Sequence, residues 1–221
     1  MRRNFRRSRA FSLIEALLTV GIFAVLIALL YVGVQSALAA SRRARCISNL
    51  RQVGAAMSLS IQENRQAIVS FRGGSWDDRL AWNNQCFLNG YLTDKEVFRC
   101  PDGENKYPIS GPSWFWNGYG LNMFDPDGGE VPLTGKLGTG YIYRRSTATI
   151  EHPAAYLLIA DSATPSAQKY YQTFRLGKAG TTDLSGLHLR HQGRANVFFL
   201  DGHVESIDRK RALDLGVINI H

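Results

Sequence analysis

The chain has 221 residues, 45% of them apolar, and a formal net charge of +8 from 26 basic and 18 acidic side chains. Five of the basic residues are arginines in the first ten positions; without them the chain has 21 basic and 18 acidic residues, a net charge of +3. A basic excess concentrated in a leader does not indicate a nucleic-acid-binding surface, so we expect no nucleic acid among the partners. The length suffices for one membrane helix and one globular domain with its own core.

The chain begins with a basic leader, residues 1–10, and continues with an apolar segment, residues 11–40. From Ala16 to Ser41 the sequence has no charged residue. Because a helix rises 1.5 Å per residue, about 25 residues cross the ~30 Å hydrocarbon core, and residues 11–40 predict one transmembrane helix. The leader arginines predict a cytoplasmic N-terminus and an extracytoplasmic C-terminal domain, although three more arginines at positions 42–45 reduce the asymmetry.

Glu15 is the one charged residue of the apolar segment. A carboxylate at mid-membrane costs about 2.5–3.5 kcal/mol on insertion scales, and less near the interface. A charge with this cost is expected to have a partner. The alternative is that Glu15 lies in the headgroup region and reaches water.

Three processing routes fit this N-terminus. The A-x-A tripeptide at residues 37–39 fits a secretory cleavage site, although the apolar stretch before it is longer than the roughly 7–15 residues of such signals. The arginine pair at residues 2–3 fits a twin-arginine signal. Residues 9–20 read RAFSLIEALLTV, and they closely resemble the N-terminus of type IV pilins and type II secretion pseudopilins.

The pilin resemblance implies a specific processing of this chain. In that family prepilin peptidase cuts before a phenylalanine and methylates the new amino group. Ala10 would precede the cut, where the family usually has glycine, and Phe11 would become the methylated first residue. Glu15 would face the N-terminal amine of a neighbouring subunit. The implied partners are prepilin peptidase, other pilin-like subunits of a homo- or hetero-filament, and the bacterial inner membrane.

A second helical pattern follows the apolar segment. Apolar residues recur with spacings of 4, 3, 4 and 4, as expected for one face of an amphipathic helix. They are Cys46, Leu50, Val53, Met57 and Ile61. No proline interrupts residues 11–66, so we expect one long helix whose second half packs on the domain, with Cys46 as a small apolar core residue. A short coiled-coil stalk is the alternative.

Residues 67–221 predict a β-rich domain. Runs of β-branched and aromatic residues occur at 67–71, 141–144, 156–160, 170–176, 196–200 and 203–207. Residues 101–140 form a Gly/Pro/aromatic loop region between them. The expected fold is therefore α+β and pilin-like: a long N-terminal helix, membrane-spanning in its first half and amphipathic in its second, packed on an antiparallel β-sheet.

Asp201-Gly202 lies between the last two strand runs and predicts a hairpin with a two-residue type I′ turn. In that register Phe199 is opposite Val204, and Val197 is opposite Ser206. The residues expected to face the helix are then Val197, Phe199 and Val204.

His191, nine further residues and Asp201-Gly202 form a C-terminal motif. The motif is similar to the signature of a large pilin-like group that combines a prepilin-type N-terminus with this His–Asp-Gly domain of unknown function. Four other segments match that group in texture: residues 45–64, 97–103, 116–122 and 157–163. The role of the motif is left open by this resemblance.

We expect no catalytic site, no cofactor and no resident metal. The sequence contains no GxSxG, HExxH or P-loop motif. The further candidates for a Zn²⁺ site are Asp161, His191, Asp201 and His203, with His188 nearby. A strand over 196–200 would separate His191 from Asp201 unless residues 191–195 fold back. Residues 125–130 are a further candidate, for Ca²⁺.

The three cysteines allow at most one intrachain disulfide. The preferred pairing is Cys86–Cys100, because both residues lie in loop-rich sequence. The alternative pairing is Cys46–Cys100.

These features predict a structural pilin-like or pseudopilin subunit that prepilin peptidase processes and that joins a type II secretion or type IV pilus-like filament. The alternative is a membrane-anchored or secreted envelope binding protein that uses the prepilin signal only for export.

Overall fold

The computed structural model describes residues 12–72, 81–105, 108, 110, 117–122, 133–137, 140–166, 169–173, 176, 185–217 and 219–221. The chain forms two compact units, the first ending at Ser41 and the second beginning at Arg42. The fold is α+β, as expected: helix α1, Leu13–Glu63, supplies the first unit and also packs against antiparallel β-sheets in the second.

The first unit consists of the apolar part of α1. Every side chain from Ser12 to Leu38 is exposed, and Glu15 is the one charged residue among them. The stretch is long and apolar enough for a membrane span. By length and composition, α1 is therefore able to cross a membrane.

The second half of α1 has the predicted buried face. Leu50 and Val53 are fully buried, and Met57 and Ile61 are 2% and 5% exposed. Gln52 and Gln62, on the other faces, are exposed. Core packing is thus confirmed for this stretch, because the apolar period of the sequence matches the 3.6-residue period of the helix.

In the described part of the second unit the β-residues form three antiparallel sheets rather than one, with strand orders β1-β4-β3, β10-β9-β5-β2 and β7-β6-β8. The strands are β1 Ala67–Arg72, β2 Gly120–Leu121, β3 Leu133–Leu137, β4 Gly140–Ser146, β5 Leu157–Ala160, β6 Ser162–Ser166, β7 Lys169–Gln172, β8 Gly186–Leu187, β9 Arg194–Phe199 and β10 Val204–Asp208. Among the described residues there are also two short α-helices, α2 Trp82–Leu88 and α3 Arg209–Asp214. The six predicted strand runs correspond to β1, β4, β5, β7, β9 and β10, and β2 and β3 lie inside the predicted loop region.

The central sheet, β10-β9-β5-β2, has apolar cores on both faces. One core contains Phe198 and Ile159 together with the buried face of α1. The other contains Val197 and Phe199 together with Ala212 of α3. Strand β9 is therefore buried on both faces, which explains its nearly continuous apolar sequence.

The β9–β10 hairpin differs from the prediction by one residue. Val204 pairs with Phe198 rather than with Phe199, and the Phe199 N–H donates to the His203 carbonyl over 2.9 Å. The loop thus has three residues, 200–202, with Gly202 at φ +98°. Such a loop is usually a type I turn followed by a left-handed residue, not a type I′ turn. The shift places Val204 on the same face as Phe198. Strand β9 also presents to α1 the face opposite to the predicted one, so that Phe198 packs on α1 while Val197 and Phe199 pack with α3.

Phe198 contacts α1 at Gly54, where a Cβ atom would lie 2.2 Å from the phenyl ring. We expect Gly54→Ala to lower the free energy of unfolding by about 1–2 kcal/mol, because overpacking outweighs the better helix propensity of alanine. Urea unfolding of the full chain in detergent measures this loss. Gln52→Ala, on the exposed face of the same helix, should change stability by less than about 0.5 kcal/mol. A Gly54→Ala/Phe198→Leu double variant that recovers none of the loss would contradict this packing.

Candidate functional site

The N-terminus of α1 is closed by a capping interaction. The Ser12 N–H donates to Oε2 of Glu15 over 3.0 Å. Ser12-Leu13-Ile14-Glu15 has the S-x-x-E spacing of a capping box, in which a glutamate three positions into the helix satisfies a free backbone donor. Sequence reasoning missed this local role of Glu15, although the spacing was visible. The predicted processing residues Ala10 and Phe11 lie outside the described residues.

A polar cluster lies in the core of the second unit. It consists of Cys46, Cys100, Asp161 and His191, whose ligand atoms all lie within 4.8 Å of one another. Cys46 Sγ is 3.4 Å from Asp161 Oδ1, and His191 Nε2 is 3.3 Å from both Cys100 Sγ and Asp161 Oδ2. We call these four residues the Cys₂AspHis cluster. Each is at most 3% exposed, so the cluster is closed to a substrate.

Four different parts of the fold supply the cluster. Cys46 lies on α1 and Asp161 lies between β5 and β6. Cys100 follows the 3₁₀-helix Lys95–Phe98, and Gln172 fixes its backbone by accepting from its N–H over 3.0 Å and donating to its carbonyl over 3.2 Å.

His191 enters the cluster through a tight turn that precedes β9. Its N–H donates to the Arg194 carbonyl over 3.0 Å, and the Arg194 N–H donates back over 3.2 Å. Gln192 and Gly193 between them have φ of +54° and +79°, as a type I′ turn requires at both central positions. The turn brings His191 to Asp161 and Cys100 and not to Asp201, and the two-residue turn predicted for Asp201-Gly202 occurs here instead.

A second layer of polar groups surrounds the cluster. The Asn196 N–H donates to Asp161 Oδ2 over 2.8 Å, and its side-chain amide lies 3.4 Å from Cys46 Sγ, as does the Tyr119 hydroxyl. Nε of the buried Arg190 is 3.9 Å from Asp161 Oδ1. His191 Nδ1 lies 3.1 Å from Asp102 Oδ2, an ion-pair distance without regular hydrogen-bond geometry.

Burial and mutual contacts change the protonation of the cluster. Burial would raise the pKa of the Cys100 thiol, but hydrogen bonds with Cys46 and His191 lower that pKa to about 7. Burial would lower the pKa of His191, but its contacts with Asp161 and Cys100 raise it to about 10. The pKa of Asp161 is held below 3.8 because the hydrogen bond from His191 and the charge of Arg190 outweigh burial. Burial raises the pKa of Cys46 well above the usual range of a thiol.

The other predicted ligands lie elsewhere. His203 Nδ1 is 2.6 Å from Asp201 Oδ1, and both residues are on the exposed loop at the opposite end of β9 from His191. The two ends of the His–Asp-Gly motif therefore belong to different places, with Gly202 supplying the left-handed turn residue. His188 donates its N–H to the Asp161 carbonyl, but its ring stacks on Tyr170. Residues 125–130 lie outside the described residues.

All three cysteines are buried free thiols in the structure, so the predicted Cys86–Cys100 bond is not formed there. Cys86 belongs to the apolar core on the α1 side, whereas Cys100 lies beside Cys46. Cys46 is not the purely apolar core residue that its helical spacing indicated, because Asp161, Tyr119 and Asn196 contact its sulfur.

Sequence reasoning named Asp161 and His191 as candidate ligands but missed Cys46 and Cys100 as candidates. One signal was present. The four segments that resemble the pilin-like group in texture, together with the His–Asp-Gly motif, contain all four cluster residues and also Asp102 and Tyr119. The segments are far apart in the chain, and only the fold brings them to one place.

Comparison with known families assigns the N-terminus alone. Residues 5–31 match the family model described as the prokaryotic N-terminal methylation motif. No curated protein and no solved structure matches the chain. The resemblance of the C-terminal His–Asp-Gly motif stays a prediction. The chain therefore carries a prepilin-type methylation motif, the pilin-like signal of a prepilin peptidase substrate, which overlaps a helix that fits membrane anchoring.

Proposed function

We propose that this protein is a structural pilin-like or pseudopilin subunit, cut by prepilin peptidase between Ala10 and Phe11 and assembled into a type II secretion or type IV pilus-like filament. The observation that carries the proposal is the methylation motif over residues 5–31, which overlaps the apolar half of α1. The role is one of assembly and not of catalysis.

The surface of the first unit supports assembly. From Ser12 to Leu38 every side chain is exposed, and Leu17, Phe23 and Leu30 are each more than 60% exposed. An apolar surface of this extent needs cover, by lipid before assembly and by other helices within a filament. Before assembly the leader is cytoplasmic, α1 crosses the bacterial inner membrane once, and the second unit is extracytoplasmic.

The processing step is tested by mass spectrometry of the mature N-terminus, isolated from cells with and without an active prepilin peptidase. We expect a chain that begins with N-methyl-Phe11 when the peptidase is active and one that keeps residues 1–10 when it is absent. Ala10→Gly, which introduces the usual family residue, should be processed at least as completely. A mature chain that begins at Ala40 would contradict the proposal and indicate ordinary secretion.

Export without assembly is the competing function: a membrane-anchored or secreted envelope binding protein that uses the prepilin signal only for export. Cross-linking in cells separates the two. A subunit filament gives a ladder of cross-linked copies or of mixed pilin-like subunits. A processed chain that stays monomeric, at a level where a known pilin cross-links, would favour the binding protein.

A further inference from the structure

The Cys₂AspHis cluster has the dimensions of a tetrahedral metal site. Ligand atoms placed 2.0–2.3 Å from a zinc ion at tetrahedral angles are about 3.3–3.8 Å apart. The separations between Cys46 Sγ and Asp161 Oδ1, between His191 Nε2 and Cys100 Sγ, and between His191 Nε2 and Asp161 Oδ2 are 3.4, 3.3 and 3.3 Å. The first of these edges uses Oδ1 of Asp161 and the third uses Oδ2, so with either oxygen as the ligand two edges agree with a zinc tetrahedron before any side chain moves, and all four ligand atoms lie within 4.8 Å of one another.

We propose that Cys46, Cys100, Asp161 and His191 bind one structural Zn²⁺ ion. This site is independent of filament assembly, and it ties α1 to the loop after the 3₁₀-helix, to the end of β5 and to the turn before β9.

The ligand types select the metal. Thiolate and imidazole are the donors that Zn²⁺ prefers, and a set of two cysteines, one histidine and one aspartate fills its four positions. Ca²⁺ and Mg²⁺ require six or more oxygen ligands, and Asp161 is the one carboxylate of the cluster. A closed four-ligand set that is at most 3% exposed is typical of a structural site rather than a catalytic one.

The surrounding groups fit metal ligands as well. Asn196 and Tyr119 lie at hydrogen-bond distance from Cys46 Sγ, where donors stabilise a metal-bound thiolate. Nε2 of His191 faces the cluster, while Nδ1 lies 3.1 Å from the Asp102 carboxylate, the kind of group to which a metal-binding imidazole donates its second N–H.

The charges also balance. Two thiolates and one carboxylate leave a Zn²⁺ complex with one negative charge. The buried guanidinium of Arg190, whose Nε is 3.9 Å from Asp161, supplies the compensating positive charge. Asp102, the further carboxylate beside His191, is paired with Arg42 over 2.5 Å. Buried charges are otherwise strongly unfavourable, so the pairing of opposite charges around the cluster is a specific feature of this core.

The competing use of the cluster is a Cys46–Cys100 disulfide, which an oxidising envelope would favour. A disulfide involves only the two sulfur atoms. It does not explain why the side chains of His191 and Asp161 lie at the same place. The metal site uses all four side chains.

The proposal is tested by the zinc content of the full chain, purified in detergent without chelators and measured by inductively coupled plasma mass spectrometry. We expect about one zinc ion per chain, falling below about 0.2 in Cys46→Ser and in His191→Gln. Cys86→Ser and His203→Gln are the matched controls, because Cys86 is equally buried outside the cluster and His203 is on the distant loop; both should keep about one zinc ion.

The wild-type chain gives a second readout that does not depend on whether the variants fold. Reduced, metal-free protein should take up one Co²⁺ and show the visible absorption of a tetrahedral cobalt–thiolate complex. Zinc retained in full by Cys46→Ser would overturn the proposal. So would reduced wild-type protein that takes up no Co²⁺, or metal-free native protein whose non-reducing peptide map contains a Cys46–Cys100 linked peptide.

Discussion

Glu15→Gln should prevent incorporation of the subunit into filaments while leaving its membrane insertion and N-terminal processing unchanged. Glutamine can accept the hydrogen bond that Ser12 donates to Glu15 over 3.0 Å, so the helix cap is kept and only the charge is lost. If the carboxylate pairs with the Phe11 amine of a neighbouring subunit, two charges about 4 Å apart attract by about 4 kcal/mol at an effective dielectric constant of 20. Loss of that attraction weakens each subunit contact by about a thousandfold.

The measurement compares Glu15→Gln, Glu15→Val and Thr19→Val in the native host, by cross-linking in cells and by the amount of subunit in sheared filaments. Thr19→Val is the matched control, because it removes a polar group from the same helix without removing a charge. It should assemble like the wild type. Normal assembly of Glu15→Gln together with failed assembly of Glu15→Val would mean that Glu15 acts as a helix cap and that no charge pairing occurs.

The helix could be predicted because its signals are local. The apolar residues from Leu50 to Ile61 recur with the period of the α-helix, and the structure buries them as that period requires. The apolar segment before Ser41 could be predicted equally directly, because its length alone matches the thickness of a membrane. The capping box at Ser12 is a local signal too. Glu15 was interpreted only through the cost of its charge in a membrane, so this signal was missed.

The hairpin register could not be predicted, because neither the turn sequence nor the alternation of apolar and polar residues determines it here. Asp201-Gly202 is compatible with a two-residue turn and with the three-residue loop that the structure contains. Strand β9 is buried on both faces, so the alternation of apolar and polar residues gives no register. The face of β9 that packs on α1 follows from the close contact between Phe198 and Gly54, which lie 144 positions apart in the sequence.

The Cys₂AspHis cluster could not be predicted either, because its four residues lie far apart in the sequence. Metal sites are visible in a sequence when their ligands come in closely spaced pairs, and here Cys46, Cys100, Asp161 and His191 come from four separate segments. Cys46 also fits the apolar face of α1, so its helical spacing indicated core packing. The sequence singled out His191, but its partners follow from the type I′ turn at residues 192–193.

Removal of zinc should lower the melting temperature of the second unit. A ligand present at about 1,000 times its dissociation constant stabilises the folded state by about 4 kcal/mol. For a unit of 180 residues, from Arg42 to His221, that corresponds to about 8–16 °C. The measurement is thermal unfolding of the full chain in detergent, with and without a chelator, followed by near-ultraviolet circular dichroism. This signal reports the packing of buried aromatic residues such as Trp82 and Tyr119 rather than the helix content of α1.

The controls separate loss of the metal from general damage to the core. Cys86→Ser removes a buried thiol of the apolar core and should melt earlier, yet it should keep the same chelator-dependent shift, because the metal ligands are intact. Cys46→Ser should melt early and show no further shift with chelator. Zn²⁺ added back to the metal-free wild-type chain should restore its original melting temperature. Ca²⁺ and Mg²⁺ should not, because the cluster offers two sulfur atoms and one carboxylate. A zinc-loaded chain that melts at the same temperature after chelation would mean that the ion does not hold the fold together, because a ligand that binds only the folded state must raise its stability.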